Sequence, residues 1–77
     1  MIVKKRSINI HGHETSITLE EAFWIALKEE AAISGHSINK LVSHIDDNRS
    51  PETNLSSAIR LYVLDKLQAK LKAALEQ

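Results

Sequence analysis

The sequence predicts a small, mostly α-helical domain with a short N-terminal β-ribbon, and three observations lead to this fold class. Polar and apolar residues alternate near the N-terminus, two amphipathic stretches follow, and a longer helical pattern occupies the C-terminal third. The 77 residues include no cysteine, so regular helices and a second copy of the chain are the means left to stabilise so small a core. We therefore expect a single folded domain over residues 1–77 that is supported by regular helices and by oligomerisation.

The composition excludes several classes of protein. It is 43% hydrophobic and 26% charged, which is typical of a soluble globular domain and not of a disordered chain. No apolar stretch approaches the ~18 residues of a membrane span, and no signal-peptide pattern is present, so we expect a cytoplasmic protein that binds no membrane. The formal net charge is zero, but Lys4, Lys5 and Arg6 make an N-terminal arm, residues 1–6, the basic part.

The alternation predicts two short strands, at residues 7–10 and 14–19. His11-Gly12 between them suits a two-residue hairpin turn, because glycine tolerates positive φ, although Asn-Gly is the stronger signal. Two arrangements stay open at this point. The strands form a hairpin within one chain, or the ribbon is made by pairing with a second subunit.

Two amphipathic helices are predicted next, so that the ribbon and both helices occupy about residues 7–48. Thr18-Leu19-Glu20-Glu21 fits a capping box, in which the threonine and glutamate side chains bind free backbone N–H groups, so the first helix is expected to begin there. Gly35 is expected to end it, and Ser37 to cap the second helix. The apolar stripe of the first helix is Leu19, Phe23, Ala26, Leu27 and Ala31, and that of the second is Ile38, Leu41, Val42 and Ile45.

A third helix, at about residues 54–75, is expected to open at Ser50-Pro51 or at Asn54. Its apolar residues change face partway along, by roughly 120° around the helix, which is far more than the ~20° per heptad of ordinary drift. The first set is Leu55, Ile59, Tyr62 and Val63, and the second is Leu64, Leu67, Leu71, Ala74 and Leu75. Either both sets serve the core and a dimer partner, or the last turns bind another protein.

Taken in order, these features resemble the ribbon-helix-helix family, to which the Arc and methionine repressors belong. The resemblance spans about residues 7–45 and rests on Thr-Ser-Ile-Thr-Leu before Glu-Glu-Ala-Phe-Trp, and on Gly-His-Ser-Ile-Asn before Lys-Leu-Val. The chain is still more similar to a bacterial subfamily of stand-alone proteins. There, a His-x-Thr-Ser strand precedes a Leu-Glu-x-x-Phe-Trp helix, and a third helix opens with Asn-Leu-Ser-Ser-Ala, as at residues 54–58.

The resemblance implies a ribbon-helix-helix homodimer with an additional long C-terminal helix. Family members pair one strand antiparallel with the same strand of a second subunit and insert this ribbon into the major groove of double-stranded DNA. They act as transcriptional regulators of the repressor or antitoxin type. The alternation then directs Thr15, Ile17 and Leu19 toward the helices and Glu14, Ser16 and Thr18 outward, as base readers.

The resemblance also implies a phosphate site at the start of the second helix, where free backbone N–H groups attract an anion. The basic arm adds sequence-independent charge. The residues expected at phosphate are Lys4, Lys5, Arg6, His36, Ser37, Asn39 and Lys40.

Glu14 departs from the family pattern, in which outward positions often carry Arg or Lys. A carboxylate accepts from cytosine N4 but is repelled by phosphate. A second function therefore stays open, a protein-interaction module on the same dimeric scaffold, without base readout, that binds a partner through the C-terminal helix.

Metal binding and catalysis have little support in the sequence. His11 and His13 lie on one face of an extended chain, but no cysteine and no His, Asp or Glu pair at i, i+4 spacing accompanies them, so a plain turn is favoured. No phosphate-binding glycine loop and no nucleophile motif are present. We expect neither a cofactor nor an enzyme.

Overall fold

A computed structural model of the protein describes residues 3–76 and contains a two-stranded ribbon followed by three helices. The elements are β1 (Val3–Ile10), β2 (His13–Glu20), α1 (Glu21–Ser34), α2 (Ile38–Asn48) and α3 (Leu55–Leu75). This is the mostly helical fold class that the sequence predicts. None of the helices in the described part is both long and apolar enough to cross a membrane.

The ribbon is a hairpin within one chain, which decides between the two arrangements that the sequence leaves open. β1 and β2 are antiparallel, and Ile10 pairs with His13 beside the turn. His11 and Gly12 both have positive φ, 51° and 83°, as the hairpin turn of type I′ requires. Nε2 of His11 lies 2.9 Å from Oδ1 of Asp47, so the turn is tied to the end of α2.

Residues 3–6 belong to β1, so the expected basic arm is wrong for the part of it that the structure describes. Val3 pairs with Glu20, and Arg6 pairs with Ile17, across the ladder. The ladder reaches this far because β2 itself continues to Glu20, one residue past the predicted strand end.

The first helix begins at Glu21, and the predicted capping box at Thr18 is wrong. Thr18 lies in β2, and the N-cap position is Glu20, where no side chain caps the helix. The Glu20 carboxylate is instead bound by Arg60 of α3, with Nε 2.7 Å from Oε1. Strand pairing and the complete burial of Leu19 keep this segment extended.

The other helix ends agree with the sequence prediction. Gly35 ends α1 in the left-handed conformation, with a φ of 73°. At the start of α2, Oγ of Ser37 accepts from the N–H of Lys40 at 3.1 Å. At the start of α3, Oδ1 of Asn54 accepts from the N–H of Ser57 at 2.8 Å, so Asn54 is the predicted opening that the chain uses.

The core lies between the hairpin and the three helices. Its largest fully buried side chains are Ile8, Leu19, Leu27, Val42, Ile59 and Val63. Ile17 and Leu19 of β2 pack against the helices as predicted. Thr15 lies on the same face of β2 but is exposed, so the prediction that the helices cover it is wrong. Near the turn, α2 packs on β1, and the side chains covered there are those of Ile8 and Ile10.

α1 and α3 lie side by side and run in the same direction. Arg60 binds Glu20 and Lys70 binds Glu30, and each ion pair joins residues that are 40 apart in the sequence. From Leu64 onward α3 has no buried residue up to the end of the described chain. The predicted change of face is therefore a change from core to exposed surface.

Candidate nucleic-acid interface

The hairpin has one face on the helices and one exposed face. Successive side chains of a strand point to opposite faces, so the burial of Ile17 and Leu19 directs Glu14, Ser16 and Thr18 away from the core. All three are exposed, as predicted. Residues directly opposite each other share a face. The residues of β1 opposite Glu14, Ser16 and Thr18 are Asn9, Ser7 and Lys5 respectively, and we call these six residues the outer face.

Ser7 and Asn9 are candidate site residues that the sequence prediction misses, because it assigns the outer face to one strand from each of two subunits. The sequence pattern that points to them is the alternation over residues 7–10 combined with the two-residue turn. Chemically, the outer face carries hydroxyls, an amide, one ammonium and one carboxylate, which are the groups that hydrogen-bond base edges.

Lys4 and Arg6 alternate with Lys5 and therefore do not lie on the outer face. The Arg6 guanidinium lies 4.5 Å from the centroid of the Trp24 ring, and its Nη2 donates to Glu21 at 2.5 Å. Nζ of Lys4 is 3.9 Å from the same carboxylate. Two of the three basic residues of β1 are thus paired with an acid of α1, and Lys5 is the basic residue of the outer face.

The start of α2 lies beside β1 and brings together the other residues predicted at phosphate. Oδ1 of Asn39 accepts from the backbone N–H of Asn9 at 3.3 Å, so this amide covers the edge of β1. Oγ of Ser37 caps the helix and keeps its own hydrogen to donate. His36 and Lys40 are exposed, and neither forms an ion pair among residues 3–76.

The hydrogen bond with Asn39 also shows which backbone groups lie at the edges of the hairpin. Because the Asn9 N–H points away from β2, Asn9 and Glu14 form a non-hydrogen-bonded pair, and such pairs alternate along an antiparallel ladder. The N–H and C=O groups of Glu14, Ser16 and Thr18 therefore point away from β1. No other element hydrogen-bonds to them in the part of the chain that the structure describes, so β2 has an open edge.

The two histidines of the turn region do not form the centre of a metal site. His11 contacts Asp47, and His13 is exposed. No group of three or more His, Cys, Asp or Glu side chains is placed to hold a metal ion anywhere in residues 3–76.

Comparison with known proteins identifies the hairpin and the helices as parts of one recognised domain. A sequence model described as a ribbon-helix-helix domain matches residues 3–67, which include the outer face, α1, α2 and the first half of α3. No curated protein and no solved structure matches the chain.

Proposed function

Because the chain belongs to the ribbon-helix-helix domain family, whose members are generally DNA-binding transcription regulators, we propose that it is a dimeric DNA-binding regulator. The observation that carries this proposal is the outer face, whose six residues are all exposed and polar. A two-stranded ribbon fits the major groove, where base edges present distinct patterns of donors and acceptors. The family is a non-enzymatic fold, which agrees with a role in binding.

The second subunit joins through the open edge of β2. Family members typically bind DNA as dimers, and an unpaired strand edge is a template for another strand. Antiparallel pairing of β2 with the β2 of a second copy gives the order β1-β2-β2-β1. Glu14, Ser16 and Thr18 of both copies then lie on the two central strands.

This arrangement separates base readers from phosphate contacts. Neighbouring strands lie about 4.8 Å apart, so the two β1 strands are separated by roughly 14 Å, which is more than the ~12 Å width of the major groove. The two central β2 strands form the ribbon that enters the groove, and each β1 lies at its rim. Lys5 on β1 therefore reaches the phosphate backbone, while the central Ser16 and Thr18 hydroxyls reach bases. Glu14 favours cytosine, whose N4 amino group donates to a carboxylate.

The start of α2 supplies the second phosphate contact. Its free N–H groups lie beside β1, and the hydroxyl of Ser37 and the exposed side chains of His36 and Lys40 belong to the same helix start. A phosphate there gains from the helix dipole and from charge. Asn39 assists through its amide NH₂, since its oxygen is already bonded to β1.

The experiment is fluorescence anisotropy of the full chain with duplex DNA, both random and selected for binding, over a range of salt concentrations. We expect binding that weakens with a constant slope in a log-log plot against salt. Glu14→Arg should strengthen binding, because it replaces a negative charge on the outer face, which the DNA phosphates repel, by a positive charge that they attract. Glu29→Arg, which makes the same change at an exposed position of α1, is the matched control and should have a smaller effect.

Two outcomes would overturn the proposal. One is the absence of salt-dependent binding in both the wild-type chain and Glu14→Arg. The other is an equal gain in Glu14→Arg and Glu29→Arg, because that result reflects net charge and not the outer face.

A further inference from the structure

The second half of α3 presents an apolar surface that its own chain does not cover. We call the leucines at positions 61, 64, 67, 71 and 75 the leucine face. Their exposed fractions are 60% for Leu61, 47% for Leu64, 50% for Leu67, 60% for Leu71 and 76% for Leu75. Contiguous apolar patches are uncommon on monomeric soluble proteins and mark interaction sites.

Four of the five leucines of the leucine face have the spacing of a coiled-coil seam. Positions 61, 64, 68, 71 and 75 are separated by 3, 4, 3 and 4 residues, as are the a and d positions of a heptad. Four of them are leucine and one is Gln68. Leu67 and Ala74 occupy the g position and widen the seam on one side.

This part of α3 also lacks support from its own domain. Lys70 binds Glu30 of α1, but every residue from Leu67 to the end of the described chain is exposed. A helical segment of this length is marginally stable in water without a packed face. The core residues of α3, such as Ile59 and Val63, lie on a different side of the helix, so the leucine face points away from the body of the domain.

We propose that the leucine face binds the leucine face of a second copy of this chain, with the two helices antiparallel. When Leu64 is opposite Leu75 of the other copy, Gln68 is opposite Leu71 of the other copy. The two e positions of the seam, Asp65 and Lys72, then face each other across the interface. This pairing of opposite charges occurs twice by symmetry, and antiparallel coiled coils bring e beside e in this way.

The charges of α3 favour this arrangement over a parallel one. Asp65 and Lys72 form no ion pair within residues 3–76, so both are available. In a parallel pair, g faces e, which would set Leu67 against Lys72 and require Arg60 to pair with Asp65. Arg60 already donates through two nitrogens to Glu20.

The proposed interface goes beyond the DNA-binding function, because it uses a surface other than the outer face and the edge of β2. A chain can therefore use both interfaces at once. Dimers formed through β2 are joined by α3 into tetramers, and such tetramers bring two ribbons to adjacent stretches of DNA.

Sedimentation of the full chain from 1 to 100 μM tests the proposal. We expect the wild-type chain to form tetramers and Leu71→Glu to form only dimers, with association through α3 weakened more than tenfold. Ala69→Glu is the matched control, since it adds the same charge at an exposed position of α3 outside the seam, and it should sediment like the wild type. Circular dichroism checks that both variants keep their helices.

Charge exchange tests the antiparallel orientation. Asp65→Lys and Lys72→Asp each convert attraction into repulsion at two places, and each should weaken association through α3 by about tenfold. The double variant restores opposite charges and should recover wild-type association. If the double variant stays as weak as the single variants, the antiparallel proposal is wrong.

A further variant separates this proposal from the proposed β2 dimer. Ser16→Pro removes an N–H that points away from β1, so it should block the edge of β2 and leave the hairpin intact. Loss of association in Ser16→Pro with no effect of Leu71→Glu would support the DNA-binding dimer and overturn the α3 interface. Loss of association in Leu71→Glu with no effect of Ser16→Pro would support the α3 interface and overturn the β2 dimer. Loss of binding to a different protein in Leu71→Glu, with self-association unchanged, would also overturn the α3 proposal.

Discussion

Arg60 of α3 donates through Nε and Nη2 to both carboxylate oxygens of Glu20, at 2.7 and 3.2 Å. Glu20 is the last residue of β2 and directly precedes α1. The two residues are 40 apart in the sequence, so this bidentate pair ties the junction of ribbon and helix to the first half of α3.

The pair predicts a pH dependence of stability. Hydrogen bonds from Arg60 and then from its own backbone N–H lower the pKa of Glu20 from its ordinary value of 4.5. A lowered pKa means that the unfolded chain binds the proton more readily. The contribution of Glu20 is therefore fully present above about pH 4.5 and is lost as the pH falls through the lowered pKa of the folded state.

Glu20→Gln measures this contribution. The difference in thermal stability between the wild type and this variant should be largest near pH 7 and should shrink as the pH falls toward 3. Glu29→Gln is the control, because Glu29 is exposed and has no ion pair within residues 3–76. If the difference in stability between the wild type and Glu20→Gln does not change with pH, then Arg60 binds ionised Glu20 no more tightly than protonated Glu20.

Burial of the inner ribbon face predicts a large effect at Ile17, which is 3% exposed. Ile17→Asp should destabilise the fold by several kcal/mol, because an unpaired carboxylate must be buried or the strand must detach. Ser16→Asp adds the same charge one residue away on the outer face and should change stability by less than about 1 kcal/mol. Urea unfolding of both variants provides the comparison, and similar midpoints would contradict the strand register.

The orientation of the basic residues of β1 predicts different roles for Lys5 and Arg6. Lys5→Ala should weaken binding to all DNA sequences alike and lower the salt slope by about one unit per phosphate contact, two for a symmetric dimer. Arg6→Ala should instead lower stability by about 1 kcal/mol, because its guanidinium packs on Trp24 and bonds Glu21. If Arg6→Ala changes the salt slope as much as Lys5→Ala does, Arg6 leaves Glu21 to bind DNA.

The outer face predicts that Ser16 affects sequence preference. Ser16→Ala should change which fragments are selected from random DNA, at ~1 kcal/mol for each base that the serine hydroxyl no longer binds. Thr15→Ala is the control on the same strand, because Thr15 is exposed but lies on the opposite face of the ribbon. Selection of the same fragments by both variants and the wild type would remove Ser16 from the base readers.

Much of the candidate site could be predicted, because alternation needs only neighbouring residues. Burial of Ile17 and Leu19 was enough to direct Ser16 and Thr18 outward. Ser7 and Asn9 could not be assigned to the same face, because that step depends on pairing between β1 and β2. Likewise, a run of basic residues does not reveal that Arg6 has an acidic partner fifteen residues away.

The sequence by itself determined the helix ends at Gly35 and Ser37 and gave Asn54 as one of two possible openings of the third helix, since each depends on interactions within a few residues. Only the tertiary structure decided that Thr18 lies in a strand. Its segment is compatible with two local structures, a helix cap and an extended strand. Pairing with β1, burial of Leu19 and the bond from Arg60 select the strand, and all three involve residues distant in the sequence or a core that exists only when the chain is folded.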